Sequence, residues 1–392
     1  MASEVPGVAV PQNRRASSLD WLINSTVRNP LRLFGFIFIA FLIVVALNNI
    51  LTGEYRAEQF ARNLIFGFAQ GSIYALIALG YTLVYGILLM INFAHSEVFM
   101  SGAYIGFFAI TAMQNTGLLF TQPLIALLIT LFTGILASVI VAVTVERVAY
   151  RPLRNAPRLV PLITAIGVSI LLQQLFLRLF GANTRRYPDV NFYAFPQLFP
   201  TQGCQVVDGA EVCRGIDLIS GRYDVIVFGL ELRILPIHFL VFFLALVLMA
   251  ALWFFVQRTK TGKAMRAVAE DKNTAALMGI NVDRVIVTTF VLGAALAGAG
   301  GVLFALYNQQ VSPFMGFIPG IKAFTAAVLG GIGNIPGAMF GGLFLGVVET
   351  IGPGLLGLST QLKDVIAFGL LVLILIFRPQ GFFGEVLAQK KA

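Results

Sequence analysis

Charge is scarce in this 392-residue sequence. Asp, Glu, Lys and Arg make up 11% of it, against about a quarter in an ordinary soluble domain. By contrast, 58% is hydrophobic and the mean hydropathy is +0.87. So little polar surface could not cover a soluble protein of this size. Soluble enzymes are thereby excluded, along with disordered, collagenous and coiled-coil chains. Histidine and cysteine are scarcer still, two of each. They leave no ligand set for a metal once the cysteines are joined. A phosphate-binding loop is also lacking: Thr261-Gly262-Lys263-Ala264 has neither the first glycine nor the hydroxyl that would hold Mg²⁺. No cofactor is expected, and any dependence on ATP must come from a partner. No cleavable signal peptide is evident, because the first thirty residues are polar and carry Arg14, Arg15 and Arg28.

What is present is apolar sequence in long runs. Ten segments read as membrane helices: 33–51, 63–88, 93–113, 123–145, 160–179, 237–256, 285–307, 318–332, 336–351 and 363–377. The predicted fold class is all-α, a polytopic transmembrane bundle of about ten spans. The segments 318–332 and 336–351 are short and joined by Gly330-Gly331-Ile332-Gly333-Asn334-Ile335-Pro336-Gly337. Two readings remain for that join, a tight turn between full spans or a re-entrant pair of half-helices. Orientation follows from the basic residues. The first 32 residues, the stretch 146–158, the stretch 257–284 and the C-terminus hold seventeen of the 27 Lys and Arg. An even number of spans puts all four on one side, the cytoplasm, with both termini there. The net charge of +9 then reflects cytoplasmic loops rather than nucleic-acid binding.

The segment 180–236 faces outward and contains both cysteines. Between them, Asp208-Gly209 is a two-residue hairpin signal, because type I′ turns need φ > 0 at both central positions. Centring the turn there sets Val207 opposite Ala210. It also sets Cys204 opposite Cys213 at a non-hydrogen-bonded pair, where a disulfide fits. An oxidising compartment permits it.

Polar residues within the apolar segments are candidate path residues. Gln70, Tyr74, Tyr81 and Tyr85 recur with helical spacing on one face. Asn92, His95, Ser96 and Glu97 gather where the third segment begins. Lys322 and Glu349 are the remaining charges at membrane depth. Each such charge costs roughly 2.5–3.5 kcal/mol on insertion scales, so it faces the bundle interior or water. A polar translocation path and simple interhelical hydrogen bonding both fit these residues. His95 and Glu97 lie one residue apart, point to different faces, and do not make an acid–base pair. The stretch 261–281 is too polar to span and reads as two short helices, the second capped by Asp271 and ended by Gly279. Met265, Leu277 and Met278 are apolar residues on it that need a partner, with Arg266, Glu270 and Asp271 around them.

Several motifs are shared with a known family. They are Gly71-Ser72-Ile73-Tyr74-Ala75-Leu76-Ile77-Ala78-Leu79-Gly80-Tyr81, Ile91-Asn92-Phe93-Ala94-His95, Arg266-Ala267-Val268-Ala269-Glu270-Asp271 with Leu277-Met278-Gly279, and Phe377-Arg378-Pro379-Gln380-Gly381. With these the chain resembles the permease subunits of branched-chain amino acid ABC importers, over about residues 60–386. The resemblance implies two cytoplasmic ATPase subunits, a second homologous permease or a second copy of this one, and a periplasmic substrate-binding protein. It places the chain in a bacterial inner membrane. It also makes 257–284 the loop that couples to the ATPase. The sequence departs from the family in a cytoplasmic tail (1–32), an extra span and short external loop (33–59), a longer outward loop, and Ser96 where glycine is usual. A tail of 387–392 closes the chain. A urea or short-amide permease of the same family is the alternative, and an ion-driven secondary transporter is the alternative outside it.

If Cys204 and Cys213 are joined, a thiol-alkylating reagent labels neither until a reductant is added. Labelling of both in the untreated protein would exclude the bridge.

Overall fold

A computed structural model describes residues 30–384 apart from short gaps at 54, 155, 158, 189–192, 195–204, 208–209, 213–215, 218–220, 228–229 and 379. Twelve helices organise it: α1 (Pro30–Leu51), α2 (Ala57–Leu88), α3 (His95–Asn115), α4 (Pro123–Val145), α5 (Leu159–Phe180), α6 (Pro236–Arg258), α7 (Lys260–Glu270), α8 (Lys272–Leu277), α9 (Val282–Asn308), α10 (Phe317–Gly330), α11 (Ile335–Leu355) and α12 (Lys363–Phe377). Each of the ten expected segments coincides with a helix. Among the described residues eight helical stretches are long and apolar enough to cross a membrane. α10 is not one of them: its 14 residues reach about 21 Å, short of a hydrocarbon core of roughly 30 Å. It turns back into α11 through Gly331 and Gly333, both at positive φ. Chain length therefore allows α10 only a partial crossing, whereas α11, with 21 residues, is long enough to span.

The two ends of the bundle differ. Glu146, Tyr150 and Arg154 line one common cavity with Lys272, Val282 and Asp283, so the two basic stretches 146–158 and 257–284 share an end. The other end carries four two-stranded antiparallel ribbons. One of them pairs Val207 with Ala210, Val206 with Glu211 and Gln205 with Val212, the register expected from the Asp-Gly turn. Cys204 and Cys213, one step further out, lie outside the described residues, as do the N-terminal tail 1–29 and residues 385–392.

α2 is the axis of the core. Residues 69 to 84 of it are all buried. It is lined by small residues where its neighbours cross. A Cβ on Gly67 would meet the Val347 Cα at 2.7 Å, and one on Gly71 the Leu343 Cα at 2.9 Å. Gly342 and Gly346 lie equally close to the backbones of Ala75 and Gly71. Four glycines at helical spacing thus bring two helix backbones into contact, which in lipid supplies the packing that hydrophobicity cannot. On the opposite side, α9 approaches α2 at Gly293 and Gly80, where a Cβ on Gly293 would lie 3.3 Å from the Gly80 Cα. The outward faces of α4, α5 and α6 carry exposed Phe132, Ile140, Ile163, Leu171, Phe243 and Phe254, as lipid-facing surfaces do.

The glycine seam predicts a position-specific response to one methyl group. Gly346→Ala should destabilise the purified protein by roughly 1–3 kcal/mol through overpacking, read as a lower thermal unfolding midpoint. Gly369→Ala on α12, where a Cβ meets nothing within 4 Å, should leave the midpoint unchanged. Equal midpoints for both variants would contradict the seam.

Candidate functional site

Among the described residues two polar clusters stand out inside the apolar bundle, each set by which face of a helix its residues occupy. The first joins four helices. Lys322 of α10 places its Nζ 2.6 Å from Glu349 Oε1 on α11 and 2.6 Å from Asp364 Oδ1 at the start of α12. Gln70 of α2 donates through Nε2 to Glu349 Oε1 at 3.2 Å and lies 2.6 Å from the Tyr74 hydroxyl. Lys322 is 2% exposed and Glu349 is fully buried. Beside them opens a cavity of about 450 Å³, lined in part by Gln70, Tyr74, Tyr307, Lys322, Lys363 and Asp364. It lies at the ribbon end, since Gln310 of the Arg185–Val311 ribbon also lines it.

The second cluster forms where α3 begins, and three consecutive side chains there face three different helices. His95 packs edge-on to the Tyr81 ring at 5.0 Å and fills the space left by Gly80. Ser96 faces α10, where Gly316 and Gly320 leave room for it. Glu97 faces α5, whose Ser169 hydroxyl and Gln173 Nε2 donate to its Oε1 at 3.1 and 2.8 Å. The Ser96 hydroxyl makes its shorter bond, 2.7 Å, to the Phe93 carbonyl. Ser96 is helical and not among the positive-φ residues, so serine in place of glycine strains nothing here. Asn92 is buried as well, its Oδ1 accepting from the Tyr150 hydroxyl at 2.6 Å. Among the described residues Glu97 Oε2 has no hydrogen-bond partner.

The expected polar face of α2 is divided. Gln70 and Tyr74 belong to the ribbon-end cavity, whereas Tyr81 and Tyr85 line a small pocket with Ile91, Phe324, Ala327 and Ile332. At the small pocket Phe324 meets the Tyr81 ring edge-on at 6.0 Å and the Phe93 ring at a tilt at 5.9 Å. At the basic end, a second cavity of about 380 Å³ is lined by Glu146, Tyr150, Arg154, Lys272 and Asp283. Arg154 ion-pairs with both Glu146 and Asp283. Burial, and then the Arg154 charge, lower the Lys272 ammonium from its ordinary value.

The polar loop between α6 and α9 forms the two expected short helices. The Thr259 hydroxyl accepts from the Gly262 amide at 3.0 Å and caps α7. The Asp271 carboxylate accepts from the Asn273 and Thr274 amides at 2.8 and 3.2 Å and caps α8. Gly279 ends the turn at φ 84°. Met265 is a correction: it is 2% exposed and packs into the chain with Val268 and Ala275, because α7 lays one face on the bundle. Leu277 and Met278 are 88% and 80% exposed, and Arg266, Glu270 and Asp271 are exposed around them. Arg266 bonds Gln257 on α6.

Sequence reading singled out Lys322 and Glu349 as charges but not as a pair. It passed over Asp364, Ser169, Gln173 and Tyr150. The available signal was the opposite sign of the two lone charges on neighbouring apolar segments. Among the described residues no group of three or more His, Cys, Asp or Glu is placed to hold a metal.

Residues 63–375 match the family described as the permease component of branched-chain amino acid transport systems. A high-affinity branched-chain amino acid transport system permease protein, BraD of Pseudomonas aeruginosa, is 44% identical over 336 residues, 85% of this chain and 98% of BraD. The corresponding protein LivH of Escherichia coli is 42% identical over 335 residues, 84% of this chain and 97% of LivH. LivM of Salmonella typhimurium, a permease protein of the same kind of system, is 32% identical over 136 residues, 34% of this chain and 31% of LivM. No solved structure matches the chain.

The surroundings of Glu97 predict opposite outcomes for two substitutions. Glu97→Gln keeps an acceptor for Ser169 and Gln173 and should unfold at or above the wild-type temperature. Glu97→Leu strands both donors in an apolar site, which costs roughly 1–3 kcal/mol for each, and should unfold lower. A Leu variant as stable as the Gln variant would contradict the assignment.

Proposed function

The chain belongs to the family of branched-chain amino acid transport permeases, and on that premise we propose that it is a membrane-spanning subunit of an ABC importer. It carries branched-chain or other neutral amino acids inward across a bacterial inner membrane. The observation that carries this reading is the 44% identity to BraD across 98% of that protein. ATP hydrolysis takes place on two partner ATPase subunits, which fits a chain without a phosphate-binding loop. A second permease, homologous or identical, completes the membrane pathway, and a periplasmic protein delivers the solute to the ribbon end. The basic end faces the cytoplasm, as the distribution of Lys and Arg requires.

In this reading α8 is the contact to the ATPase. Leu277 and Met278 stand out of a cytoplasmic surface that the rest of the chain leaves uncovered. Arg266, Glu270 and Asp271 form a polar rim, and Met265 holds α7 to the bundle from beneath. The division suits force transmission, because the exposed pair docks while the buried face is fixed to the transmembrane helices.

The test is reconstitution of the complex in proteoliposomes, with leucine uptake measured alongside recovery of the ATPase on the purified permease. Leu277→Ala and Met278→Ala each remove a central apolar anchor, worth about 2 kcal/mol in an interface, and should lower both. Lys272→Ala should do so less. Gly279→Val forces a β-branched residue into the left-handed region and should uncouple uptake without preventing membrane insertion. Wild-type uptake and recovery in Leu277→Ala and Gly279→Val would exclude α8 as the docking element.

A further inference from the structure

We propose that the cavity beside Lys322 is a binding site for a zwitterionic α-amino acid with an aliphatic side chain. The Lys322 ammonium takes the α-carboxylate and Asp364 takes the α-ammonium. The proposal rests on the importer reading and gives it a location within this chain.

The charge arrangement carries the inference. Lys322 touches two carboxylates at 2.6 Å, one more than its own charge requires. The two are not equivalent. Glu349 is fully buried and is also held by Gln70, so it is the fixed counter-ion. Asp364 has a side chain 43% exposed and lines the cavity, so it is the exchangeable one. A zwitterion entering the cavity replaces one internal ion pair with two. Its carboxylate goes to Lys322 and its ammonium to the released Asp364. Net charge is unchanged, and no buried charge is stranded during the exchange. A carboxylate without an ammonium would leave Asp364 unpaired, and an amine without a carboxylate would have to displace Lys322. Lys363, half-exposed and 4.0 Å from Glu349, keeps that carboxylate compensated when Lys322 turns toward a ligand.

The rest of the lining completes the selectivity. Phe304, Phe314, Met315 and Ile318 also line the cavity and offer apolar surface beside the charges. The Tyr74 hydroxyl and the Gln70 amide stand beside Lys322. At about 450 Å³ the cavity falls within the usual range for small-ligand sites. A few polar groups against an apolar wall is the arrangement that reads an amino acid's backbone and accepts a branched side chain.

The test uses the assembled complex in proteoliposomes carrying Ser312→Cys, a cavity-lining position away from the charges. Labelling by a cationic thiol reagent is compared with the complex lacking that substitution, and leucine uptake is measured in parallel. Millimolar leucine should slow the labelling, whereas 4-methylpentanoate and 3-methylbutylamine, which each carry half of the zwitterion, should not. Adding Asp364→Asn should shift the leucine protection curve to concentrations about tenfold or more higher, as loss of a charged hydrogen bond does. The comparison among the three ligands does not depend on that variant. A complex that imports leucine yet shows no protection, or equal protection by 4-methylpentanoate, overturns the site. So does protection unmoved by Asp364→Asn. A complex that imports no branched-chain amino acid overturns the importer reading itself.

Discussion

An ammonium buried in an apolar bundle must meet a carboxylate, because neither charge can be left there alone at tolerable cost. Lys322 and Glu349 satisfy each other at 2.6 Å, and the arrangement of α2, α10, α11 and α12 follows from that contact. α10 is too short to cross by itself and has few residues with which to fix its position. The ion pair fixes it from one side, and Ser96 fitting against Gly316 and Gly320 fixes it from the other. Asp364 draws the start of α12 to the same point, and Gln70 ties the group to α2.

The pair can form only because the backbones come close. Gly67 and Gly71 on α2 and Gly342 and Gly346 on α11 let the two helices touch, which brings Glu349 within reach of Gln70. Packing and charge therefore act together: the seam positions the carboxylate and the carboxylate positions the short helix α10. The ribbon-end cavity is walled by α2, α9, α10 and α12, so Lys322 and Asp364 border it directly.

Much of this was legible in the sequence, and for a physical reason. Lipid demands long apolar runs with internal hydrogen bonding, so all ten helices announced themselves by composition. The Asp208-Gly209 turn set the Val207–Ala210 register locally, and Asp271 and Gly279 marked α8 by cap chemistry alone. What depended on long-range packing was less visible. Met265 reads as a free apolar residue on a polar loop, yet α7 covers it by lying on the bundle. Lys322 and Glu349 are 27 residues apart, and only the turn between α10 and α11 brings them together. Ser169 and Gln173 look like ordinary polar residues of a span until Glu97 is seen to face them.

The central claim, that the Lys322–Glu349 contact holds the short helix α10 in place, is tested most directly by a double-mutant cycle. Lys322→Met, Glu349→Met and the double variant would be purified, and their stabilities compared by reversible unfolding in detergent. Each single substitution removes the short buried contact, leaving Lys322 with Asp364 alone or Glu349 with Gln70 and the more distant Lys363, and should destabilise by up to about 3–5 kcal/mol, while the double variant should recover part of that loss. If the two single effects simply add in the double variant, the two side chains do not depend on each other and the account is wrong.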